Sequence, residues 1–292
     1  MLAKNMKNNT PPDDGSGSTG DAYLKDAKKE IQKWEQEGPG FLAQVGDFIL
    51  WPAQKAADML IPDGVHEAVG KSIHGLLSGL SGASDFTVDR DSIISGVKKR
   101  RGKKTDFASR LKAADEQANE CWNWNIGYGA AEGAGTGALG IIGLAADIPA
   151  LFTICLREIQ EIALCYGYDV TTPEEKEYML QVLRTGSTGD IKAKMEFLIM
   201  LKQIEQILLK VSWKKMASDL AAKQISNLSL LAAVKQFAKS LGIQITKRKA
   251  LQSVPIIGAL VGASFNATFV NDIGRAAYMC YRRRYIAEHE TK

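Results

Sequence analysis

The sequence has little of what metal sites and nucleophilic triads require. Only three histidines occur in 292 residues, and no HExxH, GxSxG or ExxH pattern is present. The four cysteines, Cys121, Cys155, Cys165 and Cys280, form no CxxC pair. These absences argue against a zinc site and a Ser-His triad, and they predict buried, reduced thiols rather than disulfides. We therefore predict no cofactor.

The chain carries little net charge, and its first residues do not resemble a secretory signal. The formal net charge is only +4, so composition gives no reason to expect nucleic acid as a partner. Residues 1–20 are polar and rich in Asn, Pro, Gly and Ser, without the apolar stretch of a secretory signal. This segment is predicted to be a disordered tail, and the protein is predicted to be cytoplasmic.

Strand-type alternation is almost absent, whereas apolar residues recur at steps of three and four. This pattern predicts an all-α, multi-helix bundle in a single domain over residues 21–290. Gly167 predicts the end of one helix, and Thr172-Pro173 with Glu175 predicts the start of the next. Helices are predicted at 21–37, 41–61, 65–80, from about Asp106, and at 191–211, 214–226, 229–241 and about 255–287.

Two Gly- and Ala-rich segments, 129–162 and 250–277, are the most distinctive feature. Gly129, Gly133 and Gly137 recur every four residues, as do Gly258 and Gly262. This spacing places small residues in one row along a helix, and such rows allow close helix packing in a bilayer or in a tight soluble bundle.

Neither segment is a clear transmembrane span. Residues 250–271 carry no charge and have basic flanks, but polar side chains lower their hydropathy. Asp147 and Pro149 interrupt the other segment, and the mean hydropathy of the chain is −0.14. A soluble core is favoured, while peripheral or conditional insertion and a span remain alternatives.

Ionisable residues inside these segments form a candidate polar pocket. Arg157 and Glu161 are one helical turn apart, as are Asp272 and Arg275, so local ion pairs are available. Asp147 is also suited to cap a new helix beginning near Pro149. Alternatively, convergent carboxylates could bind a cation or act as acid and base. The candidate pocket comprises Glu132, Asp147, Arg157, Glu158, Glu161, Asp272 and Arg275.

Two basic runs are candidates for contact with lipid phosphates. Each charge at an anionic surface contributes about 1 kcal/mol, although a solvated linker is the simpler interpretation of the first run. Trp122 and Trp124, near Tyr128, suit a head-group belt or a core equally well. The runs are Lys98, Lys99, Arg100, Arg101, Lys103 and Lys104, and then Arg282, Arg283 and Arg284.

The order of these motifs resembles the EcsC family. One motif contains Glu132-Gly133, Thr136-Gly137, Ala146-Asp147-Ile148-Pro149-Ala150-Leu151, Arg157 and Tyr166-Gly167-Tyr168-Asp169. The second runs from Val254-Pro255-Ile256-Ile257-Gly258-Ala259 to Asp272-Ile273-Gly274-Arg275-Ala276-Ala277. Together with a similar stretch from Trp51 to Pro62, the resemblance covers roughly residues 41–284.

The resemblance implies a bacterial helical protein linked to membrane or envelope physiology, since the family takes its name from a protein encoded beside an ABC-type exporter. It implies no catalytic residues. The main hypothesis is a peripherally membrane-associated protein that acts through its small-residue helices, by helix association or conditional insertion. The expected partners are anionic lipid, a membrane protein complex or both, and a homo-oligomer stays open. The rival hypothesis is a hydrolase or metal-dependent enzyme using Glu132, Asp147, Glu158 and Glu161.

Overall fold

The computed structural model describes residues 20–37, 88–137, 140–170, 173–187, 195, 198–199 and 258–290. Within the helices it describes the side chains except those of residues 136–149, 173–174 and 258–265. Six helices have their bounds in these ranges, which contain no strand. They are α1 (Gly20–Gln36), α2 (Arg90–Arg101), α3 (Phe107–Gly137), α4 (Gly140–Cys165), α5 (Pro173–Ser187) and α6 (Gly258–Glu290).

The long helices α3 and α6 pack against each other in opposite directions. Phe107 at the start of α3 stacks on His289 near the end of α6. Gly129, more than 20 residues further along α3, lies against Asn266 and Val270 near the start of α6. A Cβ at Gly129 would be 2.7 Å from Val270 Cγ2, so the two helices approach closely at this glycine. The α3–α6 pair thus forms the axis of the bundle.

Helix α4 contributes its buried face to the hydrophobic core, and it corrects one prediction. The helix is continuous from Gly140 to Cys165, so no new helix begins at Pro149 and Asp147 is not its N-cap. Proline in a helix interior removes a backbone hydrogen bond. Burial of the turns that follow offsets this loss, since Leu151, Phe152 and Ile159 are fully buried.

The end of α4 follows the sequence prediction. Gly167 has a positive φ of 84°. The Gly167 N–H donates to the Leu164 carbonyl, and the Tyr168 N–H donates to the Ala163 carbonyl, both at 3.0 Å. This is the Schellman arrangement, in which a left-handed residue ends the helix. The predicted cap at Gly167 is confirmed.

Helices α1 and α2 flank this core. The prediction of a short charged helix at 21–37 is confirmed by α1, which buries Ala27, Ile31 and Trp34 on one face. Helix α2 corrects another prediction, because Lys98 to Arg101 are not a linker but its last turn. Cations at this position interact favourably with the negative end of the helix dipole. Gly102 ends the helix with a φ of 61°.

The start of α3 also follows the sequence. The Asp106 carboxylate accepts a 2.9 Å hydrogen bond from the Ser109 backbone N–H, as an N-cap does. Helix α6 ends at Glu290, close to the predicted limit. The predicted helices at 41–61, 65–80, 214–226 and 229–241 lie outside the described residues, as does nearly all of the one at 191–211.

None of the helices in the described part of the chain combines the length and the apolar character that crossing a bilayer requires. The regular structure of the described residues is entirely helical.

At Gly186, α5 approaches α6 closely, so enlarging this residue should separate the two helices. A Cβ at this position would lie 2.9 Å from Ile273 Cα and 3.0 Å from the Asp272 carbonyl oxygen. Both atoms belong to the backbone and cannot rotate away. Gly186→Val should lower the free energy of unfolding by about 1–3 kcal/mol, measured by urea denaturation. Gly127→Ala, on a helix surface with open space, should instead stabilise by about 1 kcal/mol. Equal effects of the two substitutions would contradict this packing.

Candidate functional site

A buried polar layer lies where α3, α4 and α6 meet. Glu161 Oε1 accepts a 2.7 Å hydrogen bond from Arg157 Nε, which is the local ion pair expected from their spacing. Glu161 Oε2 accepts a 2.6 Å hydrogen bond from Asn125 Nδ2 on α3. Both oxygens of this largely buried carboxylate therefore accept hydrogen bonds. The bond from Asn125 links α3 to α4.

Glu158, one turn before Glu161, is in a different position. It is fully buried, and neither carboxylate oxygen has a hydrogen-bond partner among the described residues. Burial raises the pKa of Glu158 well above its usual range, and the charges of Glu161 and Cys121 add to this shift. A buried carboxyl group without a cation favours its neutral, protonated form.

Gly274 makes room for this carboxyl group. A Cβ at residue 274 would overlap Glu158 Oε1 and the Trp122 ring, and it would lie 2.7 Å from Trp122 Nε1. The Trp122 Nε1 is also buried without a partner among the described residues. The absence of a side chain at Gly274 therefore lets a carboxyl group and an indole N–H meet the α6 backbone.

Two of the four cysteines are neighbours in this layer. Cys121 on α3 and Cys165 at the end of α4 have their sulfurs 4.0 Å apart. Gln117 Nε2 donates to Cys121 Sγ at 3.8 Å, and Cys165 Sγ donates to the Glu161 carbonyl at 3.2 Å. All four cysteines are buried, as the sequence predicts, and none of the four is in a disulfide.

The predicted lipid contact of Arg282 is wrong, because Arg282 lies inside the bundle with only 4% of its side chain exposed. Its guanidinium lies 2.8 Å from Asp115, which is fully buried and also accepts hydrogen bonds from Tyr23 and Tyr166. The other terminal nitrogen of Arg282 donates to Glu30 at 2.6 Å. The ion pairs of Arg282 thus connect α6 to Asp115 on α3 and to Glu30 on α1.

Arg284 corrects the same prediction and forms the second buried ion pair. Its two terminal nitrogens donate to the two carboxylate oxygens of Glu175 at 2.7 and 2.6 Å, a bidentate geometry. Tyr168 and Tyr178 lie with their ring centroids 4.0 and 5.0 Å from the guanidinium carbon. Arg283 pairs with Glu35 at 2.7 Å and is also largely buried. None of these three arginines faces open solvent.

The first basic run does lie at the surface. Lys98, Lys99, Arg100, Lys103 and Lys104 are exposed, and Arg101 is half-buried. We call these six residues the basic cluster. Arg100 forms an ion pair with Glu120 on α3.

One exposed face of α3 lies next to the basic cluster. Trp124 is 64% exposed and Tyr128 is 48% exposed, whereas Trp122 is buried. The Trp124 and Tyr128 ring centroids are 6.5 Å apart, and Arg157 lies 5.5 Å from the Tyr128 ring centroid. We define the aromatic face as the exposed residues Trp124, Gly127, Tyr128, Ala131 and Gly135.

The other predicted pocket residues are spread over the bundle. Glu132 accepts a hydrogen bond from Asn266 on α6, and Arg275 pairs with Glu37 at 2.7 Å. Asp272 is half-buried, and the side chain of Asp147 lies outside the described residues. Only Arg157, Glu158 and Glu161 are therefore seen together. In the described ranges no three His, Cys, Asp or Glu side chains are placed to hold a metal ion.

The predicted glycine rows are partly described. Gly129 meets α6, and Gly133 is buried in α3. The surroundings of Gly137, Gly258 and Gly262 lie outside the described residues.

The sequence reasoning missed Asp115, Asn125 and the cysteine pair. Asp115 stands beside Glu116 in a charged stretch that reads as an exposed helix face. Asn125 follows Cys121 by four residues, so both lie on one face of the helix. This spacing is the available sequence feature that links them. Asn125 meets Glu161, and Cys121 meets Cys165, because α3 packs against α4. Local sequence does not predict this packing.

The chain belongs to the EcsC protein family, whose profile matches residues 25–286. The match begins inside α1, so it extends further towards the N-terminus than the resemblance recognised from motifs. Among individual proteins, the chain is similar to the uncharacterized protein YdbA of Bacillus subtilis strain 168, at 28% identity over 269 residues, covering 89% of this chain and 92% of that protein. It is also similar to protein EcsC of the same organism, at 24% identity over 230 residues, covering 78% and 82%. No solved structure gives a significant match.

Proposed function

We propose that the protein is a peripheral membrane-binding module that docks on an anionic bilayer through the aromatic face of α3 and the basic cluster beside it. The observation that carries this proposal is the exposure of Trp124, at 64%, on a helix whose other tryptophan is buried. Tryptophan and tyrosine are the side chains that favour the membrane–water interface.

The rings and the cations share one side of α3. Glu120, Trp124 and Tyr128 are spaced by four residues and so lie in one row along the helix. Arg100 of the basic cluster is bound to Glu120, the first member of this row. Lipid phosphates bound at the end of α2 near Arg100 would therefore lie on the same side of α3 as the rings.

The small residues support this surface from within. Gly129 lies opposite the aromatic face, where it allows α3 to approach α6. The row of Gly129, Gly133 and Gly137 is thus suited to fixing α3 in the bundle, with its aromatic face outward. Arg282 to Arg284 have no part in the proposed surface because they serve internal ion pairs. Buried cysteines that form no disulfide suit the cytoplasmic side of the membrane.

Removing the exposed tryptophan should weaken vesicle binding. Insertion of a large aromatic side chain contributes about 1.5–3 kcal/mol, so Trp124→Ala should reduce partitioning onto vesicles about tenfold or more. The measurement is co-flotation with vesicles of phosphatidylcholine and phosphatidylglycerol, at low and high salt. Ile94→Ala, at an exposed apolar residue of α2, should leave partitioning unchanged.

Charge removal tests the other half of the surface. Lys98→Ala, Lys99→Ala and Lys103→Ala combined remove three of the six charges and should strongly reduce the part of binding that salt screens. The matched control replaces Lys25, Lys29 and Lys33, three exposed lysines of α1, and should have little effect. A wild-type protein that ignores pure lipid vesicles but co-purifies with a membrane protein would replace lipid by that protein as the partner.

A further inference from the structure

From their geometry, we infer that Cys121 and Cys165 are a modification site, a dithiol that hydrogen peroxide converts into a disulfide joining α3 to α4. The two sulfurs are 4.0 Å apart, and a disulfide bond is about 2.05 Å long. The two thiols are in contact between two packed helices, so the sulfurs need to approach by only about 2 Å to form the bond. This inference is independent of the proposed membrane function.

The two sulfurs have unequal surroundings, which assigns their roles. Cys121 Sγ accepts a hydrogen bond from the Gln117 side-chain amide, and such a donor favours a thiolate. Cys165 Sγ donates to the Glu161 carbonyl, which favours a thiol. The pKa of Cys121 is lowered, with the neighbouring Cys165 thiol as the largest cause, while burial raises the pKa of Cys165. Cys121 is therefore the residue that reacts first.

The chemistry balances in two steps. The Cys121 thiolate attacks one peroxide oxygen, the O–O bond breaks, and a sulfenic acid and hydroxide result. The Cys165 sulfur then attacks the Cys121 sulfur, the S–O bond breaks, and water leaves. In sum two thiols are oxidised to one disulfide while one peroxide is reduced to two waters. We name a small oxidant because Cys121 is only 8% exposed and Cys165 only 4%, which excludes bulky reagents.

The bond would close a loop of 44 residues containing the second half of α3 and all of α4. Such a cross-link restricts the unfolded chain and raises stability. We therefore expect the urea midpoint of the oxidised protein to lie above that of the reduced protein and to return to its original value on reduction.

The test uses the purified full chain, reduced, exposed to hydrogen peroxide, blocked with N-ethylmaleimide and digested without reduction. Cleavage after glutamate separates the relevant cysteines, since Cys121 falls in residues 121–132, Cys155 in 133–158 and Cys165 in 162–174. We expect the first and third peptides to be joined, two hydrogens lighter than their sum. The number of free thiols should fall from four to two.

Variants supply matched controls. Cys155→Ser should keep the Cys121–Cys165 bond, because ten residues of helix place Cys155 about 15 Å from Cys165 along α4. Cys165→Ser should stop the reaction at a Cys121 sulfenic acid, which a 1,3-dione probe traps. The inference is overturned if the oxidised wild type keeps all four thiols. It is also overturned if the disulfide of the wild type involves Cys155 or Cys280.

Discussion

Arg284→Met should destabilise the protein by about 3–5 kcal/mol, the usual loss when one partner of a buried ion pair is removed. The substitution leaves the Glu175 carboxylate buried, with 2% of its side chain exposed, and without its bidentate partner. It also removes the guanidinium from its contacts with Tyr168 and Tyr178. The measurement is the free energy of unfolding in urea at pH 7, followed by the far-ultraviolet circular dichroism of the helices.

Two controls separate the buried charge from a general packing defect. The double variant Arg284→Met with Glu175→Leu removes both charges and should recover most of the loss, because apolar side chains of similar size replace such pairs with little penalty. Lys28→Met breaks the exposed ion pair with Glu290 and should cost less than about 1 kcal/mol. A double variant as unstable as the single one would mean that the packing of Arg284, rather than its pairing, holds α5 to α6.

The run Arg282-Arg283-Arg284 illustrates what local sequence can and cannot predict. Three successive residues on a helix point in directions about 100° apart, so they cannot all face one membrane surface. Which of them are buried depends on partners far away in the chain, since Asp115 precedes Arg282 by 167 positions and Glu175 precedes Arg284 by 109. Local sequence gives no sign of these pairings.

Helix ends were more predictable because their causes are local. Gly167 ends α4 and Asp106 begins α3 through hydrogen bonds within five residues. Pro149 shows the limit of this reasoning, because the same local rules predicted a helix start there and the buried turns after it favour a continuous helix. The polar layer was predicted in part. The spacing of Arg157 and Glu161 indicated their pair, whereas the position of Glu158 against Gly274 follows from how α4 meets α6.

Glu158→Gln should make the protein more stable than the wild type at neutral pH. Glu158 is fully buried, and burial, followed by the charges of Glu161 and Cys121, raises its pKa in the folded protein. Above the ordinary carboxyl pKa of 4.5, the unfolded chain releases this proton while the folded protein retains it. The contribution of Glu158 to stability is therefore full below that pH and is lost as the pH rises to the folded pKa, by about 1.4 kcal/mol for each pH unit.

Glutamine keeps the shape of the protonated acid but does not titrate, so the two proteins should be nearly equal at pH 4.5 and diverge as the pH increases. The measurement is the difference between their unfolding free energies in urea from pH 4.5 to 7.5. Asp115 also has a pKa raised by burial, but it is present in both proteins and cancels in the difference.

Glu161→Gln is the matched control, since it makes the same chemical change one helical turn away. The Glu161 carboxylate accepts hydrogen bonds from Arg157 and Asn125, so its loss should destabilise the protein at pH 7. Opposite signs at positions 158 and 161 would mean that the polar layer holds one bonded carboxylate and one protonated acid. A Glu158→Gln variant less stable than the wild type at pH 7 would instead mean that Glu158 is ionised and bound to a cation in the folded protein.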